Sequence, residues 1–477
     1  MPSWINTLRS IVGNDALLDD PAELFVYDAD GFTVARGRPS AVVFPSSTEQ
    51  VRRVVRCLSE HDVQIVPRGS GTGLTGGCVA EGGVIVSTVR MNRILSIDLS
   101  NRVAHVEAGV RNTALSEAVA TLPGGQCWHF SPDPSSQRAS TLGGNAATNA
   151  GGIHVLKDFV TSNHVLGIEM VLPDGSILRC GSTSGGHESL FDLPGLICGS
   201  EGTLGIITEL WLRLSPRPSN FRTIVATFPT RRDACNTVSD VIAAGHLPSA
   251  MEMLDGRMVR LVEETFHLGI RADAAGLILC EIDGIDALLD EQMQQIVALF
   301  RANHAQDIQT SSDADTRARL WKARKSAFGA IGKISPSYCT QDACVPRSLL
   351  ADVLDRVDEI GRRYGLTINS IFHAGDGNVH PIFLYDERDP RQVANVLAAA
   401  EEILKYCIDI GGTVTGEHGV GIEKLHLMPY QFDDATMGAF ASVKRAFDPR
   451  ERINVGKLIP SDKVRFDLHH PGRKSPQ

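Results

Sequence analysis

The feature that most constrains this chain is the run of small residues at 67–77, Pro-Arg-Gly-Ser-Gly-Thr-Gly-Leu-Thr-Gly-Gly. Gly71, Gly73 and Gly76 match the G-x-G-x-x-G spacing, which on its own suggests a Rossmann dinucleotide site. A Rossmann loop opens a helix, whereas here the sequence continues into the β-branched stretch 84–86. Without a helix, successive backbone N–H groups can form a concave anion site, which small residues permit. The run therefore predicts a diphosphate site on backbone, with a tight surface turn as the alternative.

Two further segments share this composition, 143–152 (Gly-Gly-Asn-Ala-Ala-Thr-Asn-Ala-Gly-Gly) and 199–205 (Gly-Ser-Glu-Gly-Thr-Leu-Gly). Each of them alone is compatible with an ordinary turn. Three such segments in one half of a chain instead favour an extended cofactor, because small side chains let backbone approach a ligand closely. The sequence therefore predicts a long, phosphate-containing cofactor bound outside a Rossmann fold.

The composition of the 477-residue chain excludes several classes of protein. Its formal net charge is −10, so a phosphate backbone would be repelled and no nucleic acid is expected as a partner. The sequence has no apolar run of membrane-spanning length and no basic-then-apolar leader, so no direct membrane span is expected. The 10 cysteines are dispersed without an iron–sulfur pattern, which favours a cytoplasmic protein with reduced thiols.

Hydrophobic periodicity predicts an α+β chain rather than a regular βαβ series. In the first half it predicts helices at 48–59 and 113–120 and strands at 63–67, 83–89, 103–110, 165–172 and 205–214. After the Pro-containing segment 215–219 it predicts strands at 223–228 and 276–282 and helices at 231–244 and 285–302. We therefore expect domains at 1–217 (core about 38–217) and 218–430, the latter an antiparallel sheet with helices on one face, and a C-terminal segment at 431–477.

A second signal is the segment 372–381, Phe-His-Ala-Gly-Asp-Gly-Asn-Val-His-Pro. Its Asp-Gly dipeptide favours a two-residue type I′ hairpin turn, which would place His373 directly opposite His380. Directly opposed side chains are close enough to share one metal ion. Glu417 and His418 add a carboxylate and an imidazole in another glycine-rich segment. Each histidine alone could be an ordinary core residue, and the set also suits a metal-dependent hydrolase whose glycine loops bind a nucleotide-type substrate.

The long motifs of the first half carry a specific family resemblance. The run 67–77, the stretch Ser-Pro-Asp-Pro-Ser-Ser at 131–136 with Thr-Leu and the segment 143–152, and Gly-Ser-Glu-Gly-Thr-Leu-Gly-Ile-Ile-Thr at 199–208 resemble the FAD domain of the vanillyl-alcohol oxidase/p-cresol methylhydroxylase (PCMH) superfamily. The histidine motifs are similar to the branch with D-lactate dehydrogenases, D-2-hydroxyglutarate dehydrogenases and the glycolate oxidase flavin subunit. The resemblance implies a two-part PCMH-type FAD-binding domain followed by a substrate (cap) domain.

This resemblance also implies which residues bind FAD. The loop 68–77 would hold the FAD diphosphate, and a second group of residues, between 132 and 151, would line the flavin. Gly202 and Ile207 would flank the adenine half. The C-terminal motif would return the chain to the FAD domain, with Asn454 near the flavin. The positions that match, besides these three, are Pro67, Arg68, Gly69, Ser70, Gly71, Thr72, Gly73, Thr75, Gly76, Gly77, Pro132, Asp133, Thr141, Gly144, Thr148, Asn149 and Gly151. Members that bind flavin covalently often carry a histidine where Thr72 stands, so non-covalent FAD is expected.

In the second half the resemblance implies a divalent metal (zinc, iron or manganese) on His373, His380 and Glu417. His418 would be the base, and Asn378 would orient the substrate. Arg324 matches a substrate-binding arginine, and its planar guanidinium can pair with a carboxylate through two hydrogen bonds. Its neighbours Lys322 and Lys325 could equally belong to a solvated helix face.

The resemblance implies oxidation of a small D-2-hydroxy acid, glycolate or D-lactate, to the 2-oxo acid, with hydride transfer to flavin N5. Relatives that oxidise D-2-hydroxyglutarate, the alternative substrate, have a further lysine in the stretch aligned to 337–342, where this chain has no basic residue. In glycolate oxidases a second flavin-like subunit and an iron–sulfur subunit pass electrons to quinone, so similar partners are expected, and any membrane contact would be peripheral. A catalytically silent flavin-binding subunit is a further alternative.

Overall fold

The computed structural model describes residues 2–184 and 191–461. These residues divide into two compact units. The first unit contains the described residues up to 151, 160–217 and those from 418 onward, and the second contains 152–159 and 218–417. The α-helices, in chain order, are α1 Ser3–Val12, α2 Pro21–Leu24, α3 Thr48–Glu60, α4 Asn112–Ala120, α5 Leu142–Thr148, α6 Val155–Asp158, α7 Leu193–Ile197, α8 Arg231–Ala243, α9 Gly256–Phe266, α10 Asp286–Ala302, α11 Ala314–Ile331, α12 Leu350–Tyr364, α13 Pro390–Asp409, α14 Met428–Gln431 and α15 Asp434–Phe447.

The first unit contains two main sheets and a two-stranded ribbon. One sheet has the order β1-β2-β4-β3, in which β4 pairs in parallel with both neighbours; its strands are β1 Leu17–Leu18, β2 Ala41–Val43, β3 Ile65–Arg68 and β4 Val84–Ser87. The other is antiparallel with the order β5-β6-β10-β8-β9; its strands are β5 Ile94–Asp98, β6 Val103–Glu107, β8 Val165–Val171, β9 Ile177–Gly181 and β10 Ile206–Arg213. The ribbon pairs β7 Trp128–His129 with β11 Ser215–Pro216.

Helix α3 shows how local sequence determines this unit. Ser47 accepts a hydrogen bond from Gln50 N and thereby caps the start of the helix. The apolar residues at helical spacing, Val51, Val54, Val55 and Leu58, are buried in the core that covers the parallel sheet. The predicted helix at 48–59 is thus confirmed within one residue.

The second unit is built on one eight-stranded antiparallel sheet with the path β15-β12-β14-β13-β18-β19-β16, and β17 pairs with β19 off this path. Its strands are β12 Phe221–Phe228, β13 Ala250–Asp255, β14 Gly276–Asp283, β15 Gln306–Ser311, β16 Ser337–Thr340, β17 Ala343–Cys344, β18 Thr367–His373 and β19 Asn378–Tyr385. The predicted α+β class, with an antiparallel sheet in the second domain, is confirmed.

Helices cover both faces of this sheet, which differs from the predicted single face. Residues of α9 and α11 pack on one face against Val225, Leu254 and Ile371. On the opposite face, Phe228 packs against Phe300 of α10. Successive strand residues point to opposite faces, and nearly every residue of β12, β13 and β14 is buried, so the sheet needs cover on both sides.

The chain passes from the first unit to the second at Arg217/Pro218 and returns to the first at Glu417/His418. The sequence had predicted this second boundary after residue 430. The earlier return has a local cause. Backbone N–H groups of Val420 and Ile422 are already bonded to Glu201 and Thr75 of the first unit. Within the described residues, no helix is long and apolar enough to cross a membrane.

Candidate functional site

The loop between β3 and β4 crosses between two parallel strands without forming a helix, as the sequence analysis predicted. Gly71 and Gly76 have φ angles of +73° and +76°, which L side chains rarely adopt. Within the described residues, no backbone N–H from Ser70 to Gly77 donates to a protein acceptor. A run of unpartnered N–H groups in glycine-rich backbone fits the phosphate groups of a dinucleotide.

The other two small-residue segments lie against this loop in the first unit. A Cβ on Gly69 would be 2.3 Å from Thr141 Oγ1, so only glycine permits this approach. Thr141 caps α5, which forms most of the second segment, by accepting from Gly144 N at 3.3 Å. The third segment lies against the second, because Glu201 N donates a hydrogen bond to Ala147 O at 2.7 Å. The three segments therefore form one cluster of small residues and exposed backbone.

Several predicted FAD residues have structural partners in this cluster. The guanidinium of Arg68 is buried and donates to Ala29 O, and its carbonyl accepts from Thr88 N, so both groups already have protein partners. Asn149 ends α5 with a φ of +51° and accepts from Ser162 N. The remaining positions lie in or beside the same segments: Pro67, Thr72, Gly73 and Thr75 in the loop or its entry, Pro132 and Asp133 before α5, Thr148 and Gly151 in or after α5, and Gly202 and Ile207 in the third segment or β10.

Asn454 joins the C-terminal segment to this cluster. Its Nδ2 donates to Gly77 O at 2.9 Å and to Glu201 O at 2.7 Å. Its Oδ1 accepts from Lys457 Nζ at 2.7 Å, and burial lowers the pKa of Lys457 to about 8. One buried amide thus fixes the end of the glycine loop to the third segment.

The histidine hairpin of the second unit has a different register from the predicted one. His373 pairs with Asn378, and His380 pairs with Ile371, so four residues, 374–377, form the turn. The type I′ turn requires positive φ at both central residues. Gly377 has a φ of +83°, but Asp376 has no positive φ, so the two-residue turn does not form.

The two histidines nevertheless meet, as diagonal neighbours on one face of the hairpin. Their rings are 5.2 Å apart, and each presents Nε2 to Glu417 Oε1, at 3.3 Å from His373 and 3.2 Å from His380. The three side chains offer ligand atoms within 4.8 Å of one another. Two imidazoles and a carboxylate are a donor set that suits Zn²⁺, Fe²⁺ or Mn²⁺.

The opposite ring nitrogens are also engaged, a pattern common around metal-binding histidines. His373 Nδ1 lies 2.8 Å from Glu252 Oε1, and His380 Nδ1 lies 3.2 Å from Gln341 O. Burial lowers the pKa of His373, but the charges of Glu252 and Glu417 outweigh it and hold that pKa well above its ordinary range. A cation bound at Nε2 would take the place of that proton, so the residues fit a divalent metal.

Arg324 lies on α11 and is buried, whereas its neighbours Lys322 and Lys325 are exposed. Its Nε donates to Glu252 Oε2 at 2.5 Å, so Glu252 bonds both the arginine and His373. Within the described residues, nothing accepts a hydrogen bond from the Nη groups of Arg324. They remain available for an anion.

Asn378 is buried beside Gly416, whose Cβ, if present, would be 2.6 Å from the Asn378 amide. Its Oδ1 has no hydrogen-bond partner among the described residues. His418 follows Glu417 directly but belongs to the last segment of the first unit. There Thr75 Oγ1 lies 3.5 Å from His418 O.

Two residues that contact the predicted metal ligands were not identified from the sequence. Glu252 is a single acid in the apolar strand Ala-Met-Glu-Met-Leu-Asp, a pattern that could have marked it as a buried partner. Asp342 accepts from Gly416 N at 2.8 Å and Glu417 N at 3.1 Å, and thereby holds the ligand-bearing segment. No spacing links Asp342 to that segment in the sequence.

Comparison with known proteins defines the class. Residues 39–181 match the family described as "FAD binding domain", and residues 217–458 match "FAD linked oxidases, C-terminal domain". In fold, the chain is similar to a crystal structure of p-cresol methylhydroxylase with substrate bound (TM-score 0.81, 17% identity, 97% of each chain covered). It is also similar to 4-ethylphenol oxidase from Gulosibacter chungangensis (TM-score 0.79, 20% identity, 97% of this chain and 98% of that one).

Curated relatives are closer in sequence. "Glycolate oxidase subunit GlcD" is 39% identical in Escherichia coli (strain K12), over 96% of this chain and 91% of that protein, and 37% identical in Bacillus subtilis (strain 168), over 95% and 96%. "D-lactate dehydrogenase" of Archaeoglobus fulgidus is 32% identical over 96% of this chain and 99% of that protein.

The fold, the two family matches and the curated relatives therefore define an FAD-dependent oxidoreductase. The chain belongs to the FAD-linked oxidase family, in the branch that contains these glycolate oxidase subunits and D-lactate dehydrogenases. The family match explains the glycine-rich segments as part of an FAD-binding domain. A nucleotide-binding hydrolase, the alternative, is therefore not needed to explain them.

Proposed function

We propose that this protein oxidises a small D-2-hydroxy acid, glycolate or D-lactate, to the 2-oxo acid. The observation that carries the proposal is Arg324, a buried arginine whose Nη groups have no acceptor among the described residues and whose position is held by a histidine-bound carboxylate. The names of the relatives support the substrate class.

Arg324 binds the substrate carboxylate in this proposal. Its Nε is fixed by Glu252, which leaves both Nη groups for two parallel hydrogen bonds to a carboxylate. The same Glu252 is bonded to His373, so the carboxylate-binding and metal-binding side chains share one support. This arrangement places an α-hydroxy acid by its carboxylate and leaves its hydroxyl to the other residues.

His373, His380 and Glu417 would hold the divalent metal, which when bound would make the substrate hydroxyl more acidic. His418 accepts the hydroxyl proton as a neutral imidazole. Asn378 orients the substrate, since its unpartnered Oδ1 can accept a hydrogen bond in a buried setting. FAD, when bound, would supply the two-electron acceptor for the Cα hydride, so that with the proton taken by His418 the substrate would lose two electrons and two hydrogens.

FAD is bound without a covalent bond in this proposal, because Thr72 stands where covalent relatives carry a histidine. The protein denatured in acid should therefore release its yellow colour into the supernatant. Colour that stays with the precipitate would contradict this part of the proposal.

A monocarboxylate is favoured over D-2-hydroxyglutarate, the alternative. The stretch 337–342 has no basic residue, and the nearby Lys333 is exposed beside the ring of Phe266. A second substrate carboxylate would therefore lack a cation from this stretch.

Electrons leave the reduced flavin through a partner or a soluble acceptor. The ten cysteines are all free thiols, and the sequence carries no iron–sulfur motif. The names of the relatives described as glycolate oxidase subunits support an assembly with other subunits. We propose that these partners are a second flavin-like subunit and an iron–sulfur subunit that reduce quinone. Such an assembly would make the protein cytoplasmic or peripheral to a membrane through its partners.

Anaerobic titration of the purified FAD-loaded protein tests the proposal. Glycolate or D-lactate should bleach the flavin absorbance, and L-lactate and D-2-hydroxyglutarate should bleach it more slowly. Faster bleaching by D-2-hydroxyglutarate would favour the alternative substrate. Flavin that no 2-hydroxy acid reduces would favour a catalytically silent subunit and refute the proposal.

A further inference from the structure

The segment that begins with His418 is anchored to two of the FAD segments of the first unit. Thr75 O, in the glycine loop, accepts from Ile422 N at 2.9 Å and from Glu423 N at 3.2 Å. Glu201, in the third small-residue segment, accepts from Val420 N at 2.6 Å through Oε1 and from Gly421 N at 2.7 Å through Oε2. Four consecutive N–H groups, from residues 420 to 423, are thus held by loops that belong to the cofactor site.

Two glycines make this anchoring possible. A Cβ on Gly419 would be 2.7 Å from Glu201 Oε1, and a Cβ on Gly421 would be 2.1 Å from Thr75 O. Both residues also have positive φ angles, +89° and +53°. The sequence at these positions therefore permits the close backbone approach that the Glu201 carboxylate requires.

Glu201 itself is held in an uncommon position. It is buried, has a φ of +51°, and its own carbonyl accepts from Asn454 Nδ2. Burial raises the pKa of this carboxyl, while the two N–H groups it accepts from lower it. A buried acid with strained backbone that serves two N–H groups of another segment has a role in placing that segment.

We infer that Glu201 is a positioning residue for His418, and that it couples the placement of this base to the FAD-binding loops. The inference rests on the proposed function for the role of His418. The carboxylate accepts from the residues two and three places after the base, so losing one acceptor frees the backbone next to the imidazole. A displacement of about 1 Å in a reacting group can lower a rate by about 10²-fold.

The test compares Glu201→Gln with Glu107→Gln in the FAD-loaded full chain. Glutamine keeps the shape of Glu201 but offers one oxygen to two N–H groups. Glu107 is the matched control, because it is also a buried acid of the first unit that accepts from a backbone N–H, that of Arg93. Two quantities are measured: flavin reduction by glycolate and D-lactate in a stopped-flow instrument, and amide hydrogen exchange of peptides covering 418–424.

For Glu201→Gln we expect unchanged FAD content, faster exchange in 418–424, and a limiting reduction rate lowered about 10²-fold with little change in the apparent substrate affinity. Glu107→Gln should change neither the exchange nor the rate. Wild-type exchange and reduction rate in Glu201→Gln would overturn the inference. So would a rate loss that excess FAD restores, because Glu201 would then act only through cofactor binding.

If no hydroxy acid reduces the wild-type flavin, the proposed function fails, and the exchange experiment still decides whether Glu201 anchors the segment. Faster exchange in Glu201→Gln then supports the anchoring, and unchanged exchange refutes it. Reduction by dithionite, which does not need a base, should be equally fast in all three proteins. A slower dithionite reaction in Glu201→Gln would indicate a damaged flavin site and would count against a positioning role.

Discussion

Under the proposed function, the two units of this protein recognise their ligands in different ways. In the first unit, glycine-rich backbone presents N–H groups from Ser70 to Gly77 that have no acceptor among the described residues. In the second, the proposed site consists of charged side chains that are buried or partly buried: Arg324, Glu252, His373 and Glu417 are linked in a chain of hydrogen bonds and ion pairs. The first unit should therefore be sensitive to side-chain atoms added in these segments, whereas the second should be sensitive to changes in charge.

The largest expected effect concerns His418, the proposed base. His418→Ala removes the proposed base, and general-base catalysis contributes about 10² to 10⁴-fold. We expect flavin reduction by glycolate or D-lactate to fall by about that factor while the flavin spectrum stays unchanged. Stopped-flow reduction under anaerobic conditions measures it, and a wild-type rate would remove His418 from the mechanism.

Arg324→Lys tests whether the second unit binds the substrate carboxylate. Lysine keeps the charge but cannot form two parallel hydrogen bonds or donate to Glu252 in the same geometry. We expect kcat/KM to fall about 10²-fold, mainly through KM, because the lost hydrogen bonds involve a charged group. Arg319→Lys, at an exposed position of the same helix, is the control and should have no effect. Equal kinetics for both variants would place the substrate carboxylate elsewhere.

Glu252→Gln tests the support of the metal site. Loss of a partner behind a metal-binding histidine lowers metal affinity or activity by about 10 to 100-fold. Glu281 offers a close control, because it is a buried acid on the same sheet face that binds Arg317 and Trp321 of the same helix but no histidine. Metal content and activity should fall in Glu252→Gln alone, although both variants should be less stable to heat. Equal metal affinity in the two variants would show that Glu252 does not support the metal site.

The smallest expected effect concerns the first unit. Gly77 has an ordinary φ, and a Cβ at this position would meet no protein atom within 4 Å. Gly77→Ala should therefore leave the thermal stability of the FAD-free protein unchanged but weaken FAD binding about tenfold, because the added methyl group enters space used by the cofactor. Gly438→Ala on helix α15, which also has free space, should leave FAD affinity unchanged. FAD affinity that Gly77→Ala does not alter would refute the proposed close contact.

The two units also differ in how much the sequence reveals. The small-residue segments could be recognised as a cofactor site because backbone recognition depends on local composition. The sequence correctly predicted that the run 67–77 leads into strand β4 without a helix. This feature excluded a Rossmann loop. Each segment is short and continuous, so no long-range information was needed.

The second unit required information that a single sequence does not contain. The proximity of His373 and His380 was predicted from a direct pairing, but the actual register makes them diagonal neighbours, and both arrangements bring the rings together. Glu252 and Asp342 were missed, because only the pairing of distant strands and loops brings them to the histidines. Side-chain clusters depend on tertiary register, which local patterns do not specify.

The measurement that tests the account most directly determines flavin, metal and reduction rate in one sample before and after chelation. We expect a chelator to remove the divalent metal and to leave FAD bound. Bleaching by glycolate or D-lactate should then slow by several powers of ten and should recover when Zn²⁺, Fe²⁺ or Mn²⁺ is returned. A metal-free protein that still bleaches at its original rate would contradict the proposed role of the metal site of the second unit in the oxidation.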